Sequence, residues 1–502
     1  MLRRMLSTHE YAAWLMLAGL LFLAGFLRFY ALGTESIWLD EATSLVVADN
    51  TPAQIVTITA EDIHPPLYYL ILRAWLVFGR SEAALRSLSA VIGVLSVAAL
   101  YGLGRALWSP TAGAIAALLL AVSPLHIWYS QETRMYGLAL LWSIVASALL
   151  YRAWGRSGWS YWAGYALTIA LGMYTHYFFG FVVLAHALFV GYMLLRRNIS
   201  RADLLGWAGA QLAWLLAFTP WIPTVFRQIR GGGGAWVAHV VGHPTVQVLW
   251  DTYIGFTIGP AREMLPLWAR RGAYVVYLLI LAGAIWMIFR SREKEASSHR
   301  WTRKDCGLFC LIWCIAPIGI AWLASQVKPM YALRYMLPFL PPFCLLAAVG
   351  LSALVKRNPA AGIILVGMLV ALNLAGAWML ASTQQKPDWR GLTAYLVEQA
   401  GEGDVIVPEP FWNAKPLRYY AGDALSVSDV APLPATDGAV ADAMAGLTED
   451  ADRLWLIEDV GHYGDADRLL AGYLNARYPL LHTETLDGIG EISLYQLDDA
   501  TK

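Results

Sequence analysis

The 502-residue sequence has few charged residues and no excess of either sign. Charged side chains make up 14% of the chain, and 36 Lys and Arg balance 36 Asp and Glu. A soluble domain carries about 25% charged residues, so this composition argues against a soluble protein. A nucleic-acid-binding protein needs a basic surface to neutralise phosphates. The sequence therefore predicts no nucleic-acid partner.

Cysteine is scarce as well, with four residues in the whole chain, which excludes a disulfide scaffold. Three of them, Cys306, Cys310 and Cys314, recur every four residues in one apolar segment and so share one helix face. We interpret them as small packing residues and expect neither a metal nor a cofactor. The C-terminal region after residue 382 also shows no glycine-rich phosphate loop of the kind that binds nucleotides.

Apolar residues are what the chain has in abundance. They make up 58% of it, the mean hydropathy is +0.50, and 23 Trp and 25 Tyr supply rings of the kind that settle at membrane interfaces. Runs of about 20 apolar residues, long enough to cross the hydrocarbon layer as helices, recur along the first three quarters of the chain. They indicate an all-α polytopic membrane protein. About eleven spans are predicted, near 11–32, 84–106, 110–126, 135–153, 159–176, 178–196, 203–225, 271–290, 306–325, 332–355 and 360–381.

The orientation of these spans follows from the basic residues of the short loops, because Lys and Arg concentrate on the cytoplasmic side. Basic residues near 3–4, 105, 152–156, 196–201, 290–304 and 356–357 fall on one side under this count. An odd number of spans then places the opposite loops and the C-terminal region outside. We predict a multi-pass membrane protein whose basic loops face the cytoplasm and whose other loops face the outside. The short apolar segment 64–79 is predicted to lie in the interface rather than to cross as a twelfth span.

After residue 382 the composition becomes that of a soluble domain. Helical patterns at 388–400 and 465–478 alternate with strand patterns at 403–410, 453–459 and 492–498, which predicts a small α/β domain. The expected division is therefore a transmembrane domain, 1–382, whose first outer loop is 33–83, followed by an extracytoplasmic domain, 383–502. No chemistry is assigned to the second domain.

Asp40 and Glu41, in the segment 37–44, are the strongest candidates for catalysis. Ionisable groups near lipid are costly unless they are used or paired. Two adjacent carboxylates beside Trp38 and Leu39 would sit where the dielectric falls and a carboxylate pKa rises, which suits a general base. The alternative is a helix N-cap followed by an acid in the first turn.

Two outer histidines form a second group of candidates. His64 precedes Pro65 and Pro66, which fix the chain at the entrance to the apolar segment, and His176 lies in the aromatic stretch 174–179. Each imidazole can hydrogen-bond a phosphate or a sugar. The alternatives are a loop histidine with its hydrogen bonds satisfied, and a buried histidine of an aromatic belt.

The segments 123–137 and 328–342 hold the basic candidates. The first is unusually polar for a lipid boundary and includes Arg134, whose forked guanidinium suits a phosphate. In the second, Lys328 and Arg334 lie outside, against the positive-inside rule, and a phosphate ligand would account for them. The alternative is that Arg334 pairs with Asp251, with Glu263 or with an acid of the first outer loop.

Taken in order, these segments resemble a known family. The pieces are WLDE (38–41), HPPLYY (64–69), SEAALR (81–86), SPLHIWYSQETRMYG (123–137), YTHYF (174–178), LRYMLPFLPP (333–342) and DWR (388–390). Over roughly residues 10–410 the chain resembles the multi-span glycosyltransferases of the C-type fold, in the branch of the protein O-mannosyltransferases and the aminoarabinose transferases. Their order makes the match specific, since each piece alone occurs by chance.

The resemblance implies a transferase that moves a sugar from a polyprenyl-phosphate carrier to a glycan, lipid or protein acceptor at the outer face. It implies that Asp40 is the catalytic base, with Glu41 beside it. The implied carrier phosphate ligands are Arg134, Tyr136, Lys328, Tyr331 and Arg334. The residues expected to bind the sugar or the acceptor are His64, Tyr129, Glu132 and His176. Relatives often have Lys-Pro where this chain has His64-Pro65, so the resemblance gives His64 no defined role.

The chemistry has a simple physical form. In-line attack by the acceptor hydroxyl inverts the anomeric centre, and cationic side chains stabilise the departing phosphate, so no metal is expected. Rival interpretations are a polyprenyl-lipid flippase, a ligase that uses a diphosphate carrier, and a non-catalytic member that binds a partner. A transporter would place polar groups near mid-membrane and show internal repeats. Here the polar groups gather at one face and no repeat is found.

Overall fold

The computed structural model describes residues 8–155, 158–230, 242–290, 301–428, 451–459, 468–486 and 488–497, together with 440, 441, 444 and 447. The chain divides into two compact units. The first unit comprises Met1–Leu32 and Asn50–Thr383, and the second comprises Gly33–Asp49 and Gln384–Lys502. The segment with the candidate base, expected in the first outer loop, thus belongs to the same unit as the C-terminal region.

Helices dominate the first unit. Within the described ranges twenty α-helices have defined bounds: α1 Thr8–Phe29, α2 Leu39–Ala48, α3 Pro52–Glu61, α4 Leu67–Trp75, α5 Glu82–Leu107, α6 Pro110–Val122, α7 Pro124–Ser130, α8 Tyr136–Ala153, α9 Trp159–Thr175, α10 Phe179–Leu195, α11 Arg201–Phe218, α12 Ile222–Arg230, α13 Gln247–Thr257, α14 Leu267–Arg290, α15 Arg303–Ser325, α16 Leu340–Arg357, α17 Pro359–Ser382, α18 Trp389–Gln399, α19 Ala414–Ala421 and α20 Leu469–Arg477. Of these, α2 and α18–α20 belong to the second unit.

Six helical segments in the described part are long and apolar enough to cross a membrane: α5, α8, α14, α15, α17, and α16 with the 3₁₀ turn Leu333–Phe339 that precedes it. The bent pair α6 and α7 would be a seventh span. Shorter apolar helices are α1, α10 and the segment Leu67–Phe78. The protein is therefore a multi-pass membrane protein, while the count of eleven spans stays a prediction.

The first unit contains a sharp bend between α6 and α7. The two helices meet at 62°, so the apolar run 110–126, predicted as one span, is broken. Pro124 has no N–H and cannot continue the hydrogen-bond ladder of α6, which leaves the last carbonyls of that helix without helical donors. The fully buried guanidinium of Arg28 donates to two of them, Ala121 at 3.0 Å and Leu120 at 3.2 Å. Arg28 therefore satisfies the helix end and stabilises the bend that leads into the polar segment.

The second unit contains one five-stranded sheet among its described residues. The strands are β1 Asp404–Glu409, β2 Ser426–Val427, β3 Arg453–Asp459, β4 Leu480–Leu486 and β5 Gly490–Gln496, in the order β2-β1-β3-β5-β4. β1 runs parallel to β2 and β3, whereas β5 runs antiparallel to β3 and β4. The predicted small α/β domain is confirmed in outline. Alternate residues of β1 and β3 pack into hydrophobic cores on the two faces of the sheet.

Candidate active site

The turn between α7 and α8 carries Arg134. The backbone N–H of Arg134 donates to the carbonyl of Glu132 at 2.8 Å, which keeps the turn tight. Gln131 ties the same turn to the end of α1, because its Nε2 donates to the carbonyls of Arg28 at 3.2 Å and Tyr30 at 2.9 Å. Arg134 and Glu132 are both buried, at 5% and 3% exposure. The turn therefore fixes a guanidinium in a place from which water is largely excluded.

Arg134 is bonded to His64. Its Nη2 lies 3.2 Å from Nε2 of His64. Because a guanidinium can only donate, Nε2 must accept, and neutral His64 then carries its proton on Nδ1. Burial lowers the pKa of His64 well below 6.5, and the guanidinium of Arg134, the neighbouring imidazole of His176 and the guanidinium of Arg334 lower it further. His64 is thus a neutral group, not a cation, at physiological pH.

His176 follows α9 and lies against His64, with the two ring centroids 5.5 Å apart. Its Nδ1 accepts the backbone N–H of Phe178 at 3.2 Å, so its neutral form carries the proton on Nε2. Among the described residues that Nε2 has no hydrogen-bond partner, and the residue is 5% exposed. A buried donor without an acceptor is costly, which makes this N–H a candidate ligand group.

Tyr136, the first residue of α8, lies near both candidate arginines. Cζ of Arg134 is 5.7 Å from the centroid of its ring, and Cζ of Arg334 is 6.0 Å from it. Arg334 lies in the 3₁₀ turn before α16, where it also stands 5.5 Å from the ring of Tyr335. Tyr129 meets the edge of Tyr136 at 5.4 Å. Three of the residues selected from the sequence, Arg134, Arg334 and Tyr129, therefore lie around the ring of a fourth, Tyr136.

The acids first considered as partners of Arg334 pair elsewhere. Asp251 lies 3.1 Å and Glu263 3.4 Å from the guanidinium of Arg262. The alternative that Arg334 pairs with either of these two acids is therefore not observed.

A cavity of about 390 Å³ opens beside the histidines. Most of its wall is apolar. Two of its polar groups are bonded to each other, since Tyr177 donates to Oε1 of Gln228 at 2.6 Å. The remaining polar lining consists of His64, His176, Lys328 and Tyr335. An apolar cavity whose lining also includes a few polar groups and the cation Lys328 suits an amphiphile that bears an anionic head.

Tyr331 is not part of this group. It is buried, and its hydroxyl lies 2.7 Å from Oγ1 of Thr252 on α13. No hydrogen bond or ring contact among the described residues joins it to Arg134 or Tyr136. Its contribution is to hold the chain just before Arg334.

Asp40 and Glu41 lie in the first turn of α2, in the second unit. The N-cap is Trp38, whose side chain makes no capping hydrogen bond, so neither acid is the cap. Both are first-turn acids, where the helix dipole favours negative charge. Glu41 is fully buried, with Oε2 3.2 Å from Nζ of Lys386. Asp40 is partly exposed.

The chain is similar to a known family in sequence and to known proteins in structure. Residues 63–223 match the family described as dolichyl-phosphate-mannose-protein mannosyltransferase. No curated protein matches the sequence. The structure is similar to that of ArnT from Cupriavidus metallidurans bound to undecaprenyl phosphate, at 13% identity and a TM-score of 0.61, covering 98% of each chain.

Two structures from Archaeoglobus fulgidus are similar as well. The apo oligosaccharyltransferase aligns at 13% identity and a TM-score of 0.61, over 89% of this chain and 70% of that one. AglB in complex with an inhibitory peptide and a dolichol-phosphate aligns at 11% identity and a TM-score of 0.59, over 97% and 74%. The chain has the C-type glycosyltransferase fold. The resemblance drawn from the sequence is confirmed.

One residue of this C-type fold escaped sequence reasoning. Lys386, which forms the buried ion pair with Glu41, stands 345 positions further along the chain. It comes just after α17, where a basic residue is unremarkable. Only the folded second unit shows that it meets the acidic segment.

Proposed function

We propose that the protein is a glycosyltransferase that moves a sugar from a polyprenyl-phosphate carrier to an acceptor at the extracytoplasmic face. The observation that carries the proposal is the position of Arg134 and Arg334 within about 6 Å of the ring of Tyr136, beside an apolar cavity. Two like charges close together in surroundings of low dielectric favour binding of an anion between them. A carrier phosphate with its prenyl chain has the charge and the apolar tail that such a site requires. The structure of ArnT with undecaprenyl phosphate, which has the same fold, supports this choice.

The leaving group is the carrier phosphate. As the bond from the anomeric carbon to the phosphate oxygen breaks, negative charge grows on the phosphate. Fixed donors at that point stabilise the transition state more than the ground state. We assign this task to Arg134 and Arg334, with Lys328 as a further cation at the cavity. Tyr136 holds the two guanidiniums by contact with its ring face, and Tyr331 supports the segment of Arg334.

The acceptor hydroxyl needs a base. We assign this role to Asp40, which takes the proton as the hydroxyl attacks, a contribution of about 10²- to 10⁴-fold in rate. Glu41 is engaged with Lys386 and does not take the proton. Attack on the face opposite the leaving phosphate inverts the anomeric centre. The chemistry of the side chains suffices without a metal.

Binding of the sugar and its phosphate also requires hydrogen-bond donors that carry no charge. The N–H groups of His176 at Nε2 and of His64 at Nδ1 are assigned to oxygens of the polyprenyl-phosphate sugar. Tyr129 and Glu132 are assigned to binding of the sugar or of the acceptor substrate. A neutral donor suits a hydroxyl, because it adds no charge to a site that already holds two guanidiniums. The proposed location is the bacterial inner membrane, with this face toward the periplasm.

The experiment is a transfer assay on the purified protein in lipid nanodiscs. Undecaprenyl phosphate carrying a labelled hexose or pentose is supplied together with a lipid or glycan acceptor, and released undecaprenyl phosphate is measured by mass spectrometry. The proposal expects release from at least one monophosphate donor, and loss of that release in the matched variant Asp40→Asn. Movement of intact donor across proteoliposomes without release would indicate a flippase, and release from diphosphate donors alone would indicate a ligase. Either result contradicts the proposal.

A further inference from the structure

We propose that Lys386 is a positioning residue that sets the direction of the Asp40 carboxylate by holding Glu41 in a buried ion pair. The C-terminal region then has a task in the reaction, which is to hold the catalytic helix α2. This inference rests on the proposed function through the role of Asp40 as base.

The ion pair itself is well enclosed. The side chain of Glu41 is 0% exposed and that of Lys386 is 7% exposed, and their charged atoms lie 3.2 Å apart. In such surroundings the attraction between opposite charges is strong, and removal of one partner takes this counter-charge away from the other, which stays buried. The pair therefore fixes the rotamer of Glu41 far more firmly than a surface ion pair would.

Because Asp40 and Glu41 are neighbours on one helix, the ion pair that fixes the direction of Glu41 also fixes that of Asp40. Successive side chains of an α-helix point about 100° apart around its axis, so the direction of one residue fixes that of its neighbour. Glu41 is turned inward to Lys386, and Asp40 is accordingly turned toward partial exposure. A rotation of α2 that released Glu41 would swing Asp40 by the same angle.

Further hydrogen bonds join the acidic segment to the C-terminal part of the same unit. The backbone N–H of Gln385 donates to Oε1 of Glu35 at 2.5 Å, so the residue before Lys386 is bonded to the start of the segment. Further bonds run from Ser36 Oγ to Asp388 Oδ1 at 2.8 Å, from the Ile37 N–H to the Tyr420 hydroxyl at 2.6 Å, and from Lys415 Nζ to Thr43 Oγ1 at 3.2 Å. Among the contacts named here, that of Lys386 is with an acid inside the helix that bears the base.

The test compares Lys386→Gln, Lys386→Arg and the double variant Glu41→Gln/Lys386→Gln. The matched control is Arg477→Gln, which removes an exposed cation from the same unit. For each folded preparation, kcat at saturating donor and acceptor, the KM for the undecaprenyl-phosphate sugar, and the melting temperature are measured.

Lys386→Gln is expected to lower kcat by about 10- to 100-fold, the cost of a displaced catalytic group. The donor KM should stay within about twofold, since the carrier site is elsewhere in the chain. Lys386→Arg should retain most of the activity because it keeps the charge. The double variant should recover part of that loss, because Glu41→Gln removes the buried negative charge, but its kcat should stay below that of the unmodified protein because the ion pair is still missing. In an Asp40→Asn background, Lys386→Gln should cost nothing further.

A lower melting temperature with unchanged kcat in Lys386→Gln would show a purely structural role and overturn the inference. If Lys386→Gln does not fold, the double variant decides: a folded double variant with reduced kcat and unchanged donor KM supports the inference, and one with the kcat of the unmodified protein overturns it. If Asp40→Asn keeps full turnover, the proposed base is wrong. If Asp40→Asn is inactive while Lys386→Gln is normal, only the positioning role fails.

Discussion

Nη2 of Arg134 lies 3.2 Å from Nε2 of His64, which joins two loops 70 residues apart in the sequence. The bond fixes the tautomer of His64 and orients the guanidinium of Arg134 at the same time. A lysine at position 64 would face Arg134 as a like charge. A neutral histidine instead accepts a hydrogen bond from Arg134. His64 and Arg134 therefore form a hydrogen-bonded pair in this chain.

The first prediction concerns how the stability of the protein depends on pH through the His64–Arg134 pair. Burial and the neighbouring positive charges hold the pKa of His64 well below 6.5 in the folded protein, so the unfolded chain binds the extra proton first as the pH falls. Stability is therefore lost progressively as the pH drops below about 6.5, by up to roughly 1.4 kcal/mol per pH unit. His64→Gln, which keeps a hydrogen-bond acceptor, should remove this contribution. Melting temperatures between about pH 7.5 and about pH 5 should fall less for the variant; an equal fall in both proteins would contradict the assignment.

The second prediction is that Arg334 binds the carrier phosphate. Arg334→Lys keeps the charge but loses the forked hydrogen bond, so donor affinity should fall by about 1.5–3 kcal/mol, or roughly 10- to 150-fold. The melting temperature should barely change. The matched control is Arg262→Lys, because Arg262 already pairs with Asp251 and Glu263 and should leave donor affinity unaltered. Lost stability with normal affinity in Arg334→Lys would instead indicate a structural ion pair.

The third prediction concerns the packing that supports the polar turn. A Cβ added at Gly93 would lie 2.4 Å from Oγ of Ser130 and 2.7 Å from Nε of Arg28, whereas one added at Gly102 on the same helix meets nothing within 4 Å. Gly93→Ala should therefore lower the free energy of unfolding by about 1–3 kcal/mol. Gly102→Ala should be neutral or slightly stabilising, since alanine is the better helix former. Equal melting temperatures for the two variants would contradict the described packing around Arg28.

The sequence predicts the fold to the extent that local patterns determine it. Long apolar runs indicate helices such as α5, α14 and α17, which form close to the predicted bounds because each can bury its own backbone bonds in lipid. The break at Ser123 was not predicted, because its stability depends on Arg28, which is nearly 100 residues away. Strand β4 was also missed. Its residues are mostly exposed at the edge of the sheet, so they lack the apolar alternation that marks a strand.

The candidate site, like the fold, could be predicted from the sequence only in part. The sequence pointed to Arg134, His64, His176 and Arg334 because charged or polar residues at a lipid boundary are costly unless they are used. It did not show that His64 and Arg134 are bonded, or that Tyr331 turns to Thr252 instead. Those contacts join residues far apart in the chain, and spacing alone carries no information about them.

The fourth prediction is topological. Ser297→Cys, in the basic segment between α14 and α15, should react with a membrane-impermeant maleimide only from the cytoplasmic side. Glu402→Cys, at an exposed position of the second unit, should react only from outside. The four native cysteines are buried and provide an unreactive background, which the unmodified protein checks. Labelling of position 402 from the cytoplasm would place the C-terminal region inside and contradict the predicted orientation.

Turnover by the Asp40→Asn variant tests the central claim most directly. The amide keeps the shape of the carboxylate but cannot accept a proton, so release of undecaprenyl phosphate from saturating donor should fall by about 10²- to 10⁴-fold. Carrier binding should stay nearly intact, and Glu41→Gln should cost less. The measurement is the release rate per folded enzyme in nanodiscs, with carrier affinity determined on the same preparation. Near-normal release by Asp40→Asn would contradict the account, since transfer would then proceed without the base that the mechanism requires.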